Sequence, residues 1–263
     1  MYTRKQISDA RNLYRETTGV KNVALLTNPT SNPKTEKNSK LLGILTAPLH
    51  FAPSNLSGYQ VCPMASKGCI AACLHTAGNP VYKATKTKAR INKTRFYFEH
   101  RESFLAILHA EITNHENAAK KRNMFAGVRL NATSDIAWET VKLPNGKTLF
   151  EEFPNITFYD YTAIPKRMAK FSSGQMPTNY FLTFSVKENN WESAESVLRD
   201  GGTATVVFDT KKNKQLPNMF KGFPVVDGDA HDYRPDDPKG CIAGLRAKGD
   251  AIGDKSGFVK PAK

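Results

Sequence analysis

Three cysteines fall within twelve residues of one another: Val61-Cys62-Pro-Met-Ala-Ser-Lys-Gly-Cys69-Ile-Ala-Ala-Cys73-Leu-His75. Three thiols on a Gly- and Pro-punctuated segment are poor core filler. Their thiolates repel unless a cation draws them together, and a soft metal is the natural one. Two metal readings are open. Three thiolates from one loop can ligate three irons of a [4Fe-4S] cluster. The fourth iron then takes His75, Cys241 or a small external ligand. Alternatively Cys62, Cys69 and Cys73 hold a structural zinc with His75 or Cys241. Zinc sites usually show paired ligands two to four residues apart, and the gap between Cys62 and Cys69 lacks that pairing. The cluster is therefore the stronger reading. Cys241, in the strand-like run Gly-Cys-Ile-Ala-Gly-Leu, reads as a small buried hydrophobe.

A second set of chemical residues follows the apolar runs. Arg129, Asn131, Ser134 and Asp135 follow one run; Asp160, Tyr161 and Thr162 close another; Asp227, Asp229 and Asp232 follow a third. Ligands of parallel α/β folds bind at the carboxyl ends of strands. Arg129, Asn131, Asp135, Tyr161, Asp227 and Asp229 are accordingly the candidate catalytic residues, facing the metal. In this scheme Arg129 holds a carboxylate or phosphate and the acids hold an amine or hydroxyls. The acidic run could also hold a hard cation, although it lacks the calcium-loop spacing. No Walker loop, Gly-x-Gly-x-x-Gly strand turn or Gly-x-Ser-x-Gly elbow is present.

A third set is basic. Lys83, Lys86, Lys88, Arg90, Lys93 and Arg95 stand in one stretch with Tyr82, Phe96, Tyr97 and Phe98. This is either a solvated helix face or a surface for nucleic-acid phosphates with aromatics for stacking. The chain as a whole carries +14 over 263 residues, which favours anionic partners without naming one.

These residues need elements to hold them. Strand-like runs occur at 41–46, 125–130, 156–161, 180–186, 203–208, 223–226 and 241–245. Helices are expected over 7–17, from Pro80 to about Phe98, from 104 to near Arg122, from Pro165, and over 191–199. Residues 28–40 read as an exposed loop, and 52–80 as a long connection carrying the cysteines. Alternating strands and helices imply a parallel sheet. The expected fold is α/β: an incomplete (β/α) barrel of mainly parallel strands with a long cysteine-bearing loop. A single domain is expected over 1–263, with 1–40 a peripheral segment and 41–260 the core. No apolar run reaches the roughly 18 residues of a membrane span. The first residues lack the apolar stretch of a signal peptide, so a cytosolic protein without a disulfide framework is expected.

The strings VCPMASKGCIAACLHTAG, ARINKTRFYF, VRLNATSDIAWE, ITFYDYTAIPKRM, YFLTFSVKENN, PVVDGDAHDYRPDDPKG and GLRAKGDAIGDKSGFV resemble the bacteriophage family named after gene product 88. The resemblance covers about residues 40–260. It implies a phage origin, and hence the cytoplasm of an infected bacterial host. A more distant likeness is to radical-SAM enzymes, which carry three cysteines after the first strand of a partial barrel and bind S-adenosylmethionine at the open iron. It implies the same role for Cys62, Cys69 and Cys73. Two features depart from it: the usual spacing is C-x3-C-x2-C, and the Gly-Gly-Glu element after the second strand is absent.

Overall fold

The computed structural model describes residues 2–31 and 33–262. Elements run in the order α1 (Arg4–Thr18), α2 (Pro33–Leu42), β1 (Ile44–Pro48), α3 (Lys67–Ala71), α4 (Lys83–Glu99), α5 (Arg101–Lys121), β2 (Phe125–Arg129), α6 (Leu149–Glu152) and β3 (Thr157–Thr162). They continue through α7 (Pro165–Ser172), β4 (Tyr180–Ser185), α8 (Trp191–Arg199), β5 (Ala204–Phe208), β6 (Met219–Phe220), β7 (Phe223–Asp227) and β8 (Ile242–Arg246). The strands make one sheet in the order β1-β2-β3-β4-β5-β8-β7-β6. Every neighbouring pair is parallel except β6 with β7. The sheet is open, as the incomplete barrel read from the sequence requires. Within it β8 inserts between β5 and β7.

Side chains alternate across the strands, which gives the sheet two unlike faces. One packs on helices: Val128, Phe158, Leu182, Phe184, Val206 and Phe208 join Phe104, Leu105, Leu108 and Ile112 of α5 in the main core. His115 of α5 reaches the backbone carbonyls of Leu45 and Gly127, both at 3.0 Å. The other face is polar. A Cβ on Gly127 would stand 2.9 Å from Thr46 Oγ1 and 3.5 Å from the Tyr159 ring, so Thr46, Gly127 and Tyr159 share it.

Residues 28–40, read as an exposed loop, form a short 3-10 turn and helix α2. The helix escapes hydrophobic periodicity because what it buries is polar. Asn38 is fully buried; its Nδ2 donates to Thr46 Oγ1 and Tyr159 Oη at 3.0 Å, and its Oδ1 accepts from Asp232 N at 2.7 Å. Leu41 and Leu42 end α2 rather than begin β1, and Gly43 turns the chain at φ 67°. Residues before 40 are also packed: α1 buries Ala10 and Tyr14, with Tyr14 edge-on to Phe96.

Behind β2 and β3, Arg167 of α7 ties loop to helix. Its Nη1 meets Asp135 Oδ1 at 2.6 Å, its Nε and Nη2 meet both Glu139 oxygens at 2.8 Å, and Nη2 donates to Tyr180 Oη. All these charges are buried or nearly so. Breaking such a group leaves carboxylates buried without a partner. Arg167→Ala is therefore expected to cost about 3–5 kcal/mol, read as a lower urea midpoint with unchanged slope.

Candidate functional site

The segment after β1 crosses the carboxyl ends of the parallel strands and is pinned there by named contacts. Asp135 N, after β2, donates to Val61 O at 2.7 Å, and Thr133 Oγ1 donates to Phe51 O at 2.6 Å. After β4, buried Lys187 donates to Met64 O. Glu188 accepts from Ser66 Oγ at 2.6 Å and Gly68 N at 2.9 Å, at the start of α3. Ser66 itself caps α3 by accepting from Cys69 N. At the far side, Thr76 Oγ1 meets the backbone N–H of Asp250, just beyond β8.

Helix α4 holds the other flank of the loop. Lys86 Nζ donates to Ala77 O at 2.8 Å, Arg90 Nη1 to His75 O at 3.4 Å, and Arg95 Nε to Ser57 O at 3.0 Å. Thr94 Oγ1 accepts from Ala52 N. Lys93 points the other way and gives its ammonium to Leu25 O at 2.6 Å. The stretch read as either a solvated face or a phosphate-binding surface thus spends four of its six cations on backbone carbonyls. Of its six cations, Lys83, Lys88 and Arg95 are exposed, and Arg95 nevertheless bonds Ser57 O. Internal carbonyls, which sequence does not reveal, are the partners of those four.

Cys62, Cys69 and Cys73 are free thiols, each half-buried. Burial raises all three thiol pKa values, that of Cys62 to about 12. The thiols also feel one another: Cys73 and Cys69 raise Cys62, and Cys73 raises Cys69. Lys187 favours the Cys69 thiolate and Arg90 that of Cys73. This is a donor set suited to a soft metal. Among the described residues, however, no three His, Cys, Asp or Glu side chains stand close enough to hold one ion as they are.

The fourth-ligand candidates part company. Cys241 is wholly buried at the amino end of β8, where its carbonyl accepts from Ala204 N. The cysteine loop lies at the carboxyl end, about 16 Å away along a five-residue strand. His75 is two residues beyond Cys73, and its buried Nδ1 has no partner. Burial, then Arg90 and Lys83, lower its pKa and keep the imidazole neutral, the form that binds metal.

The six candidate catalytic residues do not share one wall. Arg129 is buried on the polar face, 2.9 Å from Asp232 and over the Tyr161 ring at 4.8 Å. Asp135 pairs with Arg167, yet its charge reaches Cys62 and Cys69. Asn131 is a turn organiser: its Oδ1 accepts from Ser134 Oγ and Ile136 N. Asp227 and Asp229 bind Arg246, and Asp229 also binds Lys34 and Lys248. Three cations hold the Asp229 carboxyl well below its usual range despite partial burial. These acids join β7 to β8 and α2, so a substrate amine would have to displace an internal cation.

Sequence reading missed a cavity of about 630 Å³ beside the loop. It lies between Pro63–Ser66, Ala163 after β3, Lys187–Asn190 after β4, and Trp191 at the start of α8. None of the six candidates lines it. Its only sequence signal was position, since its walls follow two predicted strands.

An open, mostly parallel α/β sheet with a cysteine-bearing loop across its carboxyl edge defines the class. Within that class the chain belongs to the gene product 88 family, whose model matches residues 24–262; this supports the bacteriophage origin read from the sequence. No curated protein and no solved structure matches it, so the likeness to radical-SAM enzymes gains no support there. Among the described residues no helix is long and apolar enough to cross a membrane.

Lys93 gives a pH prediction. Burial lowers its ammonium pKa to about 8, against the opposing charge of Glu111 and with the help of Arg90. The folded state then binds fewer protons than the unfolded chain between about pH 8 and 10.5, so this group's contribution grows with pH there and is lost as pH falls through 8. Denaturant titrations should show wild type gaining on Lys93→Met from pH 8 to 10. Below pH 7.5 the difference should stay constant.

Proposed function

We propose that this protein holds a [4Fe-4S] cluster through Cys62, Cys69 and Cys73, with the fourth iron open to a small ligand. The observation that supports the reading is the pinned loop, which carries three half-buried thiols, near enough to influence one another's charge, along the carboxyl edge of a parallel sheet. The ligand geometry separates a cluster from zinc. A single zinc needs its sulfurs about 2.3 Å from one point, whereas a cluster gives each thiolate its own iron. Cys241, the only other thiol, is too remote to be a fourth ligand, so a zinc site would need His75.

The chain's own residues supply the surroundings. Lys187 and Arg90 offset negative charge at Cys69 and Cys73. The adjacent cavity has room for a small molecule, and Lys187 and Glu188 line it while holding the loop through Met64 O, Ser66 Oγ and Gly68 N. S-adenosylmethionine is one molecule whose amine and carboxylate can chelate an open iron, and redox or radical chemistry would follow from that ligation. A second reading rests on the orphaned Nδ1 of His75, which could close the site and leave an electron-transfer centre.

Protein purified without oxygen should contain about four irons with matching sulfide and absorb broadly as iron thiolates do. Cys62→Ala, Cys69→Ala and Cys73→Ala should each lose most of the iron, whereas Cys241→Ala should keep it. If His75→Ala changes the electron paramagnetic resonance signal of the reduced protein, the site is closed. If S-adenosylmethionine changes it instead, the site is open. Colourless protein with one zinc per chain would overturn the proposal.

A further inference from the structure

A second cavity, about 430 Å³, lies between α1 and α5. Arg4, Arg11 and Arg15 line it together with Ser8 and Asn114. They recur at the i, i+4, i+7, i+11 spacing of one helix stripe, beside the Ala10 and Tyr14 face that α1 buries. Arg4 to Arg15 spans about 16 Å of helix axis.

Among the described residues, none of these arginines makes an ion pair. Arg11 Nε is buried without a partner. Arg15 bonds only neutral acceptors, Lys21 O at 3.1 Å and Asn12 Oδ1 at 2.8 Å. Glu111 is near enough to feel Arg11, but its oxygens are taken by the Leu25 and Leu26 amides at 2.7–3.0 Å. No carboxylate lines the groove.

We infer that this groove binds the phosphates of a nucleic-acid strand, with Arg4, Arg11 and Arg15 as the contacting groups. Guanidinium forks match phosphate oxygens two at a time, and Ser8 and Asn114 add neutral donors. A straight row of like charges suits a polymer with regularly repeated charge. A protein partner would need a buried apolar anchor, and Ile7 and Ala110 are the only apolar lining residues. The net charge of +14 draws such a polymer in. Helix α1 precedes the residues that match the family model, and the inference does not depend on the metal.

The test is fluorescence anisotropy of the full chain with a short labelled single-stranded DNA of mixed sequence, across a salt series. Replacing Arg4, Arg11 and Arg15 together by alanine should weaken binding at least about tenfold and remove about two from the log–log salt slope, at about 0.7 per phosphate. Alanine favours helix, and an unchanged circular dichroism spectrum shows that α1 persists. The matching triple lysine variant should keep the slope and bind more weakly, since it keeps charge and loses the fork. Lys83→Ala with Lys88→Ala should change nothing. Lack of binding by wild type at low salt, or an unchanged slope in the alanine variant, would overturn the inference. So would equal competition by polyglutamate, which would mark the groove as a site for acidic protein.

Discussion

A long irregular segment laid over a sheet edge must have its backbone carbonyls and amides satisfied, and the site described here depends on how that is done. Charged side chains from α4 and from the turn after β4 do it. Lys86, Arg90 and Arg95 of α4 take carbonyls of the loop, Lys187 takes another, and Glu188 takes a hydroxyl and an amide at the start of α3. These bonds decide where Cys62, Cys69 and Cys73 stand. They also make a strongly basic helix a clamp within the fold: four of its cations already have carbonyl partners.

The same economy runs through the polar face of the sheet. Asn38, Thr46 and Tyr159 share hydrogen bonds, and Asp232 joins Asn38 to Arg129. On the helix side, Arg167 gathers Asp135 and Glu139. Buried ion pairs of this kind add little net stability but are costly to break. Their effect is to fix the loops after β2 and β7 in one arrangement. The catalytic candidates among them are largely engaged in that work, which turns attention to the cavity beside Lys187 and Glu188.

Seven of the eight strands were legible because each is a short apolar run bounded by turn residues, whereas the two-residue β6 was too short to read; α5 was legible because Phe104, Leu105, Leu108 and Ile112 recur on one face. Helix α2 was not, since Asn38 and Thr35 are its buried residues and polar burial leaves no periodic signal. The clamp was not legible either: Lys93 meets a carbonyl 68 positions earlier and Arg95 one 38 positions earlier. Backbone acceptors at such distances carry no residue type. For the same reason Asp227 and Asp229 read as free ligands until their cations on α2 and β8 came into view. The three cysteines needed only their spacing to be singled out, and the fold adds which strand ends surround them.

X-ray absorption at the iron edge of the protein, isolated without oxygen, tests the central claim most directly. The account predicts a shell of sulfur neighbours and a second shell of iron, the signature of a bridged cluster, and loss of both in Cys69→Ala. Iron with oxygen and nitrogen neighbours alone, or zinc at the cysteines with no bound iron, would contradict it.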